Sequence, residues 1–259
     1  MKIGAYQFPV SYDAADNIRH MQKSVRLAAD EGVRVLSFAE CAVNGYPQGD
    51  VKAQQLLAGI DSGMLYGEFG GLAREYGMFL LFGGIYTADG GLQNAAFLAN
   101  PDGDVSPIYA KRALWGWDRD NFSIGDAAQS GVFEADGFRL GVRICFEVRF
   151  PEFFRELYAA RADAVLVLFN DQTAKDSLER YELIKAHLRT RAVENIFPVV
   201  SVNNCDRFQG APTAVFDENG TVVSELPRHQ EGLLTYSLEK HALSFGAEGR
   251  KTISDNLLM

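Results

Sequence analysis

Residues 138–169, FRLGVRICFEVRFPEFFRELYAARADAVLVLF, decide the reading of the fold. Phe138 to Ile144 has the composition of a buried strand. Pro151 to Ala160 reads as a helix with proline in its first turn, where a missing N–H leaves no bond unmade, and Ala164 to Phe169 is again an apolar strand. Strand, helix, strand is the rhythm of an α/β protein, and it recurs on both sides of this segment.

Toward the N-terminus, Lys2 to Phe8 is an opening strand, Asp13 or Asp16 caps a helix, and Ile18, Met21, Val25 and Ala28 fall at helical spacing. Val33 to Phe38 is a second buried strand, which carries Glu40 to its carboxyl end just before the turn Asn44-Gly45-Tyr46-Pro47. A helical stretch closes over Gly71 to Tyr76. Met78 to Tyr86, Leu92 to Ala99 and Val105 to Tyr109 then read as neighbouring antiparallel strands, parted by the turns Asp89-Gly90-Gly91 and Pro101-Asp102-Gly103. Toward the C-terminus, Leu178, Tyr181, Ile184, Leu188 and Ala192 form one apolar face of a long helix from Lys175 to Asn195. Phe197 to Val202, Ala214 to Asp217, Thr221 to Ser224 and Gly232 to Ser237 are strands. With no linker or low-complexity stretch between them, residues 1–259 are expected to form one α/β domain of mixed sheets covered by helices.

The chain carries 25 basic and 34 acidic side chains, a net charge of −9, with 47% hydrophobic residues. That is enough apolar material for a large core, and the acidic balance disfavours nucleic acid and anionic membranes, which bind through basic surfaces. No apolar run is long enough to span a bilayer and Met1 to Val10 lacks the character of a secretory signal, so a cytoplasmic enzyme of small molecules is expected. Cys41, Cys145 and Cys205 cannot all pair within one chain and have no zinc-binding spacing.

In α/β sheets ligands gather at the carboxyl ends of strands, and Glu40, Lys111 and Cys145 all stand there. Singly each is weak: a free cysteine is commonly a small core residue, and a lysine after a strand is ordinarily a solvated charge. Together they supply a base, a cation and a nucleophile. A histidine base is disfavoured, because His20 and His187 fall in helices, His229 in a polar turn and His241 near the C-terminus. A carboxylate whose proton affinity is raised by burial can do the same work.

The blocks holding these residues resemble the nitrilase, or carbon–nitrogen hydrolase, superfamily. They are Glu40 with Gly45-Tyr46-Pro47, Lys111 after Tyr109, Cys145 within Gly-x-x-x-Cys-Phe-Glu-x-Arg-Phe-Pro-Glu, and Arg189-Thr190-Arg191-Ala192-Val193-Glu194-Asn195. The resemblance covers nearly the whole chain in the family's order, the cysteine block being its most specific part. It implies an α-β-β-α sandwich of two mixed sheets covered by helices, and a homodimer or higher homo-oligomer with the Lys175 to Asn195 helix at or near the interface. It also implies a Glu40-Lys111-Cys145 triad that hydrolyses a small non-peptide carbon–nitrogen bond, in a linear amide or N-carbamoyl compound, through a thioester on Cys145. The backbone N–H of Phe146 would join Lys111 in holding the oxyanion, and no metal or organic cofactor is called for. Nitrile hydrolysis by the same triad, a catalytically silent scaffold and an ammonia-supplying module are the alternatives.

Relatives often carry a second acid in the loop before a Phe-x-x-Gly turn. Here the loop from Trp115 to Gly125 offers aspartates, and Asp120 is favoured over Asp118 by its distance from Gly125. Ala113 stands where many relatives have histidine and Phe146 where tyrosine is frequent, which makes the expected pocket more apolar. Tyr46, Trp115 and Phe146, with Trp117, are candidate aromatic walls, and Asn170, ahead of Asp171 and Gln172, is a candidate hydrogen-bonding contact for substrate.

Overall fold

The computed structural model describes residues 1–206 and 208–258, the side chains of Ser62 and Met64 excepted. In chain order the strands are β1 (Lys2–Gln7), β2 (Val35–Ser37), β3 (Phe79–Ala88), β4 (Gly91–Ala99), β5 (Val105–Ala110), β6 (Val132–Ala135), β7 (Phe138–Ile144), β8 (Ala164–Leu168), β9 (Val199–Val202), β10 (Ala214–Phe216), β11 (Val222–Glu225) and β12 (Gly232–Ser237). The helices are α1 (Ala14–Asp30), α2 (Ala53–Ala58), α3 (Ser62–Tyr76), α4 (Asp118–Asn121), α5 (Pro151–Ala159), α6 (Leu178–Asn195) and α7 (Phe245–Leu257).

Among the described residues the strands make two six-stranded sheets, ordered β12-β1-β2-β3-β4-β5 and β11-β10-β9-β8-β7-β6. Each has a parallel centre, β1-β2-β3 in one and β7-β8-β9 in the other, with antiparallel strands outside it. The sheets pack face to face, as the alternation along β8 makes plain. Its Ala164, Leu166 and Leu168 meet Ile3, Ala5, Leu81 and Ala96 of the other sheet, whereas Val165 and Val167 join Ile184 and Leu188 of α6 and Phe154 and Leu157 of α5. On the far side, Met21, Val25 and Ala28 of α1 and Phe69 and Ala73 of α3 cover Leu36, Leu80 and Phe82. The expected α-β-β-α sandwich is present, built by strands apolar on both faces.

Asp13 caps α1, its side chain accepting from the Asp16 N–H, and Ser177 caps α6, so that this helix starts after Lys175. The reading of the long helix holds at Tyr181, Ile184, Leu188 and Ala192, which are buried, and fails at Leu178, which is 62% exposed. Strand β6 was not anticipated, although its signal was present: Asp136 and Gly137 both adopt positive φ, the two-residue turn that a right-twisted hairpin favours. Helix α7, with Phe245 and Leu257 exposed, lacked a clear apolar stripe in the sequence.

One close approach fixes the turn after β2. A Cβ on Gly83 of β3 would lie 2.4 Å from the Cys41 nitrogen, 2.5 Å from the Ala39 oxygen and 2.7 Å from the Glu40 Cα. Gly83→Ala is therefore expected to cost about 1–3 kcal/mol of stability by overpacking, checked by denaturant unfolding, and to displace the Glu40 turn.

Candidate active site

Three chain segments converge where the parallel centres of the two sheets end. After β2 the backbone crosses between them: the Phe38 N–H donates to Leu81 O in its own sheet, and the Glu40 N–H donates to Phe169 O in the other. Glu40 thus stands beyond the strand end, in a turn whose next residue, Cys41, has φ 50. Lys111 follows β5 directly and stays tied to the sheet by its N–H to Asn94 O at 2.8 Å. Cys145 follows β7 at φ 47 and opens a 3-10 turn, Cys145–Arg149. Left-handed backbone at a non-glycine residue costs about 1–3 kcal/mol and persists only where its surroundings impose it.

Lys111 is 2% exposed and Glu40 is fully buried. The Lys111 Nζ lies 2.7 Å from Glu40 Oε1 and 2.8 Å from Asp118 Oδ2. The remaining lone pairs are occupied. Asn94 Nδ2 donates to Glu40 Oε1 at 2.8 Å and the Asn170 N–H to Glu40 Oε2 at 2.8 Å. The Tyr46 hydroxyl donates to Asp118 Oδ1 at 2.8 Å and the Trp115 N–H to Asp118 Oδ2 at 3.0 Å. Cys145 opens onto a cavity of about 80 Å³ with Lys111, Asp118, Tyr46, Trp115, Phe146, Arg149 and Asn170 in its wall.

Burial pushes the proton affinity of Glu40 above the ordinary carboxylate range, Lys111 pulls it back and Asp118 adds to the rise. Burial acts on Lys111 in the opposite sense, yet Glu40, Cys145 and Asp118 outweigh it and hold the ammonium well above its usual range. Burial, then Glu40, raises the Cys145 thiol. With Lys111, Asn94 and the Asn170 N–H all donating to Glu40, the site sets a thiol beside a carboxylate-ammonium pair, the arrangement in which a carboxylate takes a proton as sulfur attacks.

Glu40 contacts Lys111, which shares a cavity wall with Cys145, and Tyr46, Trp115, Phe146 and Asn170 line the same cavity. The expectation for Asp120 is corrected. Asp118 meets Lys111, whereas Asp120 is exposed. The one-turn helix α4 turns the two aspartates about 200° apart at 100° per residue, so only one can face inward. Asn170 supports Glu40 through its backbone as well as lining the cavity. Sequence reasoning missed Asn94, an ordinary strand residue by pattern, and Glu147, which reads as a first-turn helix acid. It also missed the bidentate pair of Arg180 with Asp171, at 2.8 and 2.7 Å, in the cavity wall. Among the described residues no group of three or more His, Cys, Asp or Glu side chains is placed to hold a metal ion, and no helix is long and apolar enough to cross a membrane.

Known proteins resemble this chain in sequence and in fold. The family model described as carbon-nitrogen hydrolase matches residues 2–244. A protein of Pseudomonas protegens named hydrolase in pqqF 5'region is 31% identical over 211 residues, 79% of this chain and 70% of that protein. The 2-oxoglutaramate amidase of Bacillus subtilis is 24% identical over 257 residues, 97% of this chain and 94% of its own. A variant of the amidase from Nesterenkonia sp. AN1, with acrylamide added at its active-site cysteine, superposes over 100% of both chains with a TM-score of 0.79 at 22% identity, a likeness of fold.

The electrostatics yield a direct test. Asn94 stabilises the charged form of Glu40, so Asn94→Ala should raise its proton affinity further. In a ¹³C NMR titration of the labelled glutamate carboxyls, Glu40 should titrate above an ordinary glutamate and move higher in the variant. An unmoved or lowered midpoint contradicts the assigned role of this hydrogen bond.

Proposed function

The chain belongs to the carbon–nitrogen hydrolase family, and from that premise we propose that it hydrolyses short linear primary amides bearing a distal carboxylate, with Cys145 as nucleophile. The observation that carries the reading is the buried Lys111–Glu40 contact at 2.7 Å beside the left-handed Cys145 turn. Glu40 takes the thiol proton as sulfur attacks the amide carbon. The carbonyl oxygen becomes an oxyanion between the Lys111 ammonium and the Phe146 N–H, one of the first-turn donors that lack a partner within the helix.

Glu40 then gives the proton to the departing nitrogen, the C–N bond breaks, and ammonia leaves a thioester on Cys145. Water enters, loses its proton to Glu40 and attacks the thioester carbon. Breakdown of the second tetrahedral species releases the acid, and the proton on Glu40 returns to sulfur. Asp118 holds Lys111 from the side opposite Glu40 and is the second acid of the site.

The substrate class follows from the cavity wall. Trp115 and Phe146 meet edge to face at 6.1 Å and offer an apolar passage for a short methylene chain. Beyond them the Arg149 guanidinium stands 5.8 Å from the Phe146 ring, and among the described residues no carboxylate pairs with it. Arg180 is occupied by Asp171, which leaves Arg149 as the cation for a substrate carboxylate. The activity named for the Bacillus subtilis relative, an amidase of 2-oxoglutaramate, accords with this choice. A homodimer or higher homo-oligomer in the cytoplasm, with α6 at or near the interface, accompanies the proposal.

Two variants test it. With a carboxylate-bearing primary amide, Cys145→Ala should lose at least about 10³-fold in kcat, and mass spectrometry of the wild type should find the acyl adduct on Cys145. Arg149→Met should raise KM for that substrate about 10-fold or more, the loss of a charge-assisted bond, while leaving an uncharged amide of equal length unaffected. An adduct confined to Cys41 or Cys205 contradicts the nucleophile, and an equal effect on both amides contradicts the carboxylate site.

A further inference from the structure

The carboxylate of Glu147 is fully buried, two residues beyond Cys145, and does not line the cavity. It nevertheless gathers donors from both active-site segments. On the lysine side its Oε1 accepts from the Tyr109 hydroxyl at 2.7 Å, the Arg112 N–H at 2.8 Å and, at the long limit of 3.4 Å, the Ala113 N–H. On the cysteine side its Oε2 accepts from the Ile144 N–H at 2.8 Å. These donors flank the two functional residues: Tyr109 and Arg112 bracket Lys111, and Ile144 immediately precedes Cys145. We propose that Glu147 is a positioning residue, a carboxylate clamp that sets the separation of the Lys111 ammonium from the Cys145 sulfur.

Four features support the clamp. Cys145 holds a left-handed backbone, and the Ile144 N–H bond restrains the entry to that turn from within the turn itself. Burial, then the adjacent Glu147, keeps Tyr109 protonated and so a donor to Glu147. Tyr109 is itself fixed, because the buried Arg143 guanidinium packs 4.8 Å from its ring and donates to the carbonyls of Phe153, Ser130 and Val142. Lys111 and Cys145 directly follow strands of different sheets, β5 and β7, which no backbone ladder joins. Glu156 bridges the Arg112 and Arg143 side chains farther out, but Glu147 bonds the backbone N–H groups beside Lys111 and Cys145 themselves, a link that sheet hydrogen bonding cannot supply.

This inference rests on Cys145 and Lys111 acting as proposed above, and its test separates the two. Glu147→Gln keeps the side-chain shape but presents an NH₂ either to the Ile144 N–H or to the Tyr109 and Arg112 donors, so one side of the clamp must open. With folding confirmed by circular dichroism and a cooperative melt, kcat should fall about 10²-fold, the order of loss for a misplacement near 1 Å, with KM within about threefold. Lys111 favours the thiolate of Cys145, so the half-maximal pH for alkylation of Cys145 by chloroacetamide should rise in the variant. A role in stability alone would lower the melting temperature and leave kcat and the alkylation profile of the folded protein unchanged, and that result overturns the proposal. If Glu147→Gln does not fold, Tyr109→Phe decides. It removes one donor from the lysine side and should lower kcat several-fold with the same upward shift in alkylation pH, and wild-type values for both overturn the clamp. Unimpaired turnover by Cys145→Ala would instead dismiss the underlying reading.

Discussion

A single ammonium held between two carboxylates, all three out of water, is the constraint that the rest of the site serves. Removing an ion from water costs several kcal/mol even after relaxation, and only complete pairing offsets it. Lys111 is paired between Glu40 and Asp118, and the two carboxylates take further donors from four directions: Asn94 on β4, the Asn170 N–H after β8, Tyr46 from the turn after Glu40, and the Trp115 N–H before α4. Each partner draws in a different element, so loops from both sheets must arrive together for the charges to be tolerated. The close backbone approach at Gly83 and the left-handed turns at Cys41 and Cys145 are local costs of that convergence.

What the sequence discloses about this site depends on whether an interaction leaves a local pattern. Apolar runs such as Ala164 to Leu168 are legible because a strand covered on both faces needs every residue to be apolar. Glu40, Lys111 and Cys145 are legible only together, because a base, a cation and a nucleophile at the ends of buried strands share a chemistry that none of them has singly. Asp118 is not separable from Asp120 without knowing that Trp115 to Asn121 winds into a helical turn, since the choice rests on side-chain direction rather than on spacing. Asn94 and Glu147 are illegible for a different reason. The partners of Glu147 are mostly more than thirty residues away, and nothing in its own neighbourhood marks it as buried. Strand β6 belongs to neither class: the Asp136-Gly137 turn announced it.

The charge count of the cluster explains why the base beside a buried thiol is a carboxylate. Before attack the site holds one carboxylate at Glu40, one at Asp118, one ammonium and a neutral thiol. In the proposed reaction the proton moves from sulfur to Glu40 and the sum is unchanged: the negative charge passes from an oxygen to the sulfur. A neutral imidazole in the same place would have to create two new charges in a medium that penalises each of them. On attack the charge moves once more, to the former carbonyl oxygen, and Lys111 is placed to face it at every stage. The barrier is thereby relieved of charge separation and depends on distances, which must be right before substrate arrives because fixed dipoles and ions stabilise a transition state only when they need no rearrangement. That requirement falls on the ends of strands β5 and β7, which lie in different sheets, packed face to face but joined by no backbone ladder. The hydrogen bonds of Glu147 span that gap, and so the precision of the electrostatics rests on a group that never meets the substrate.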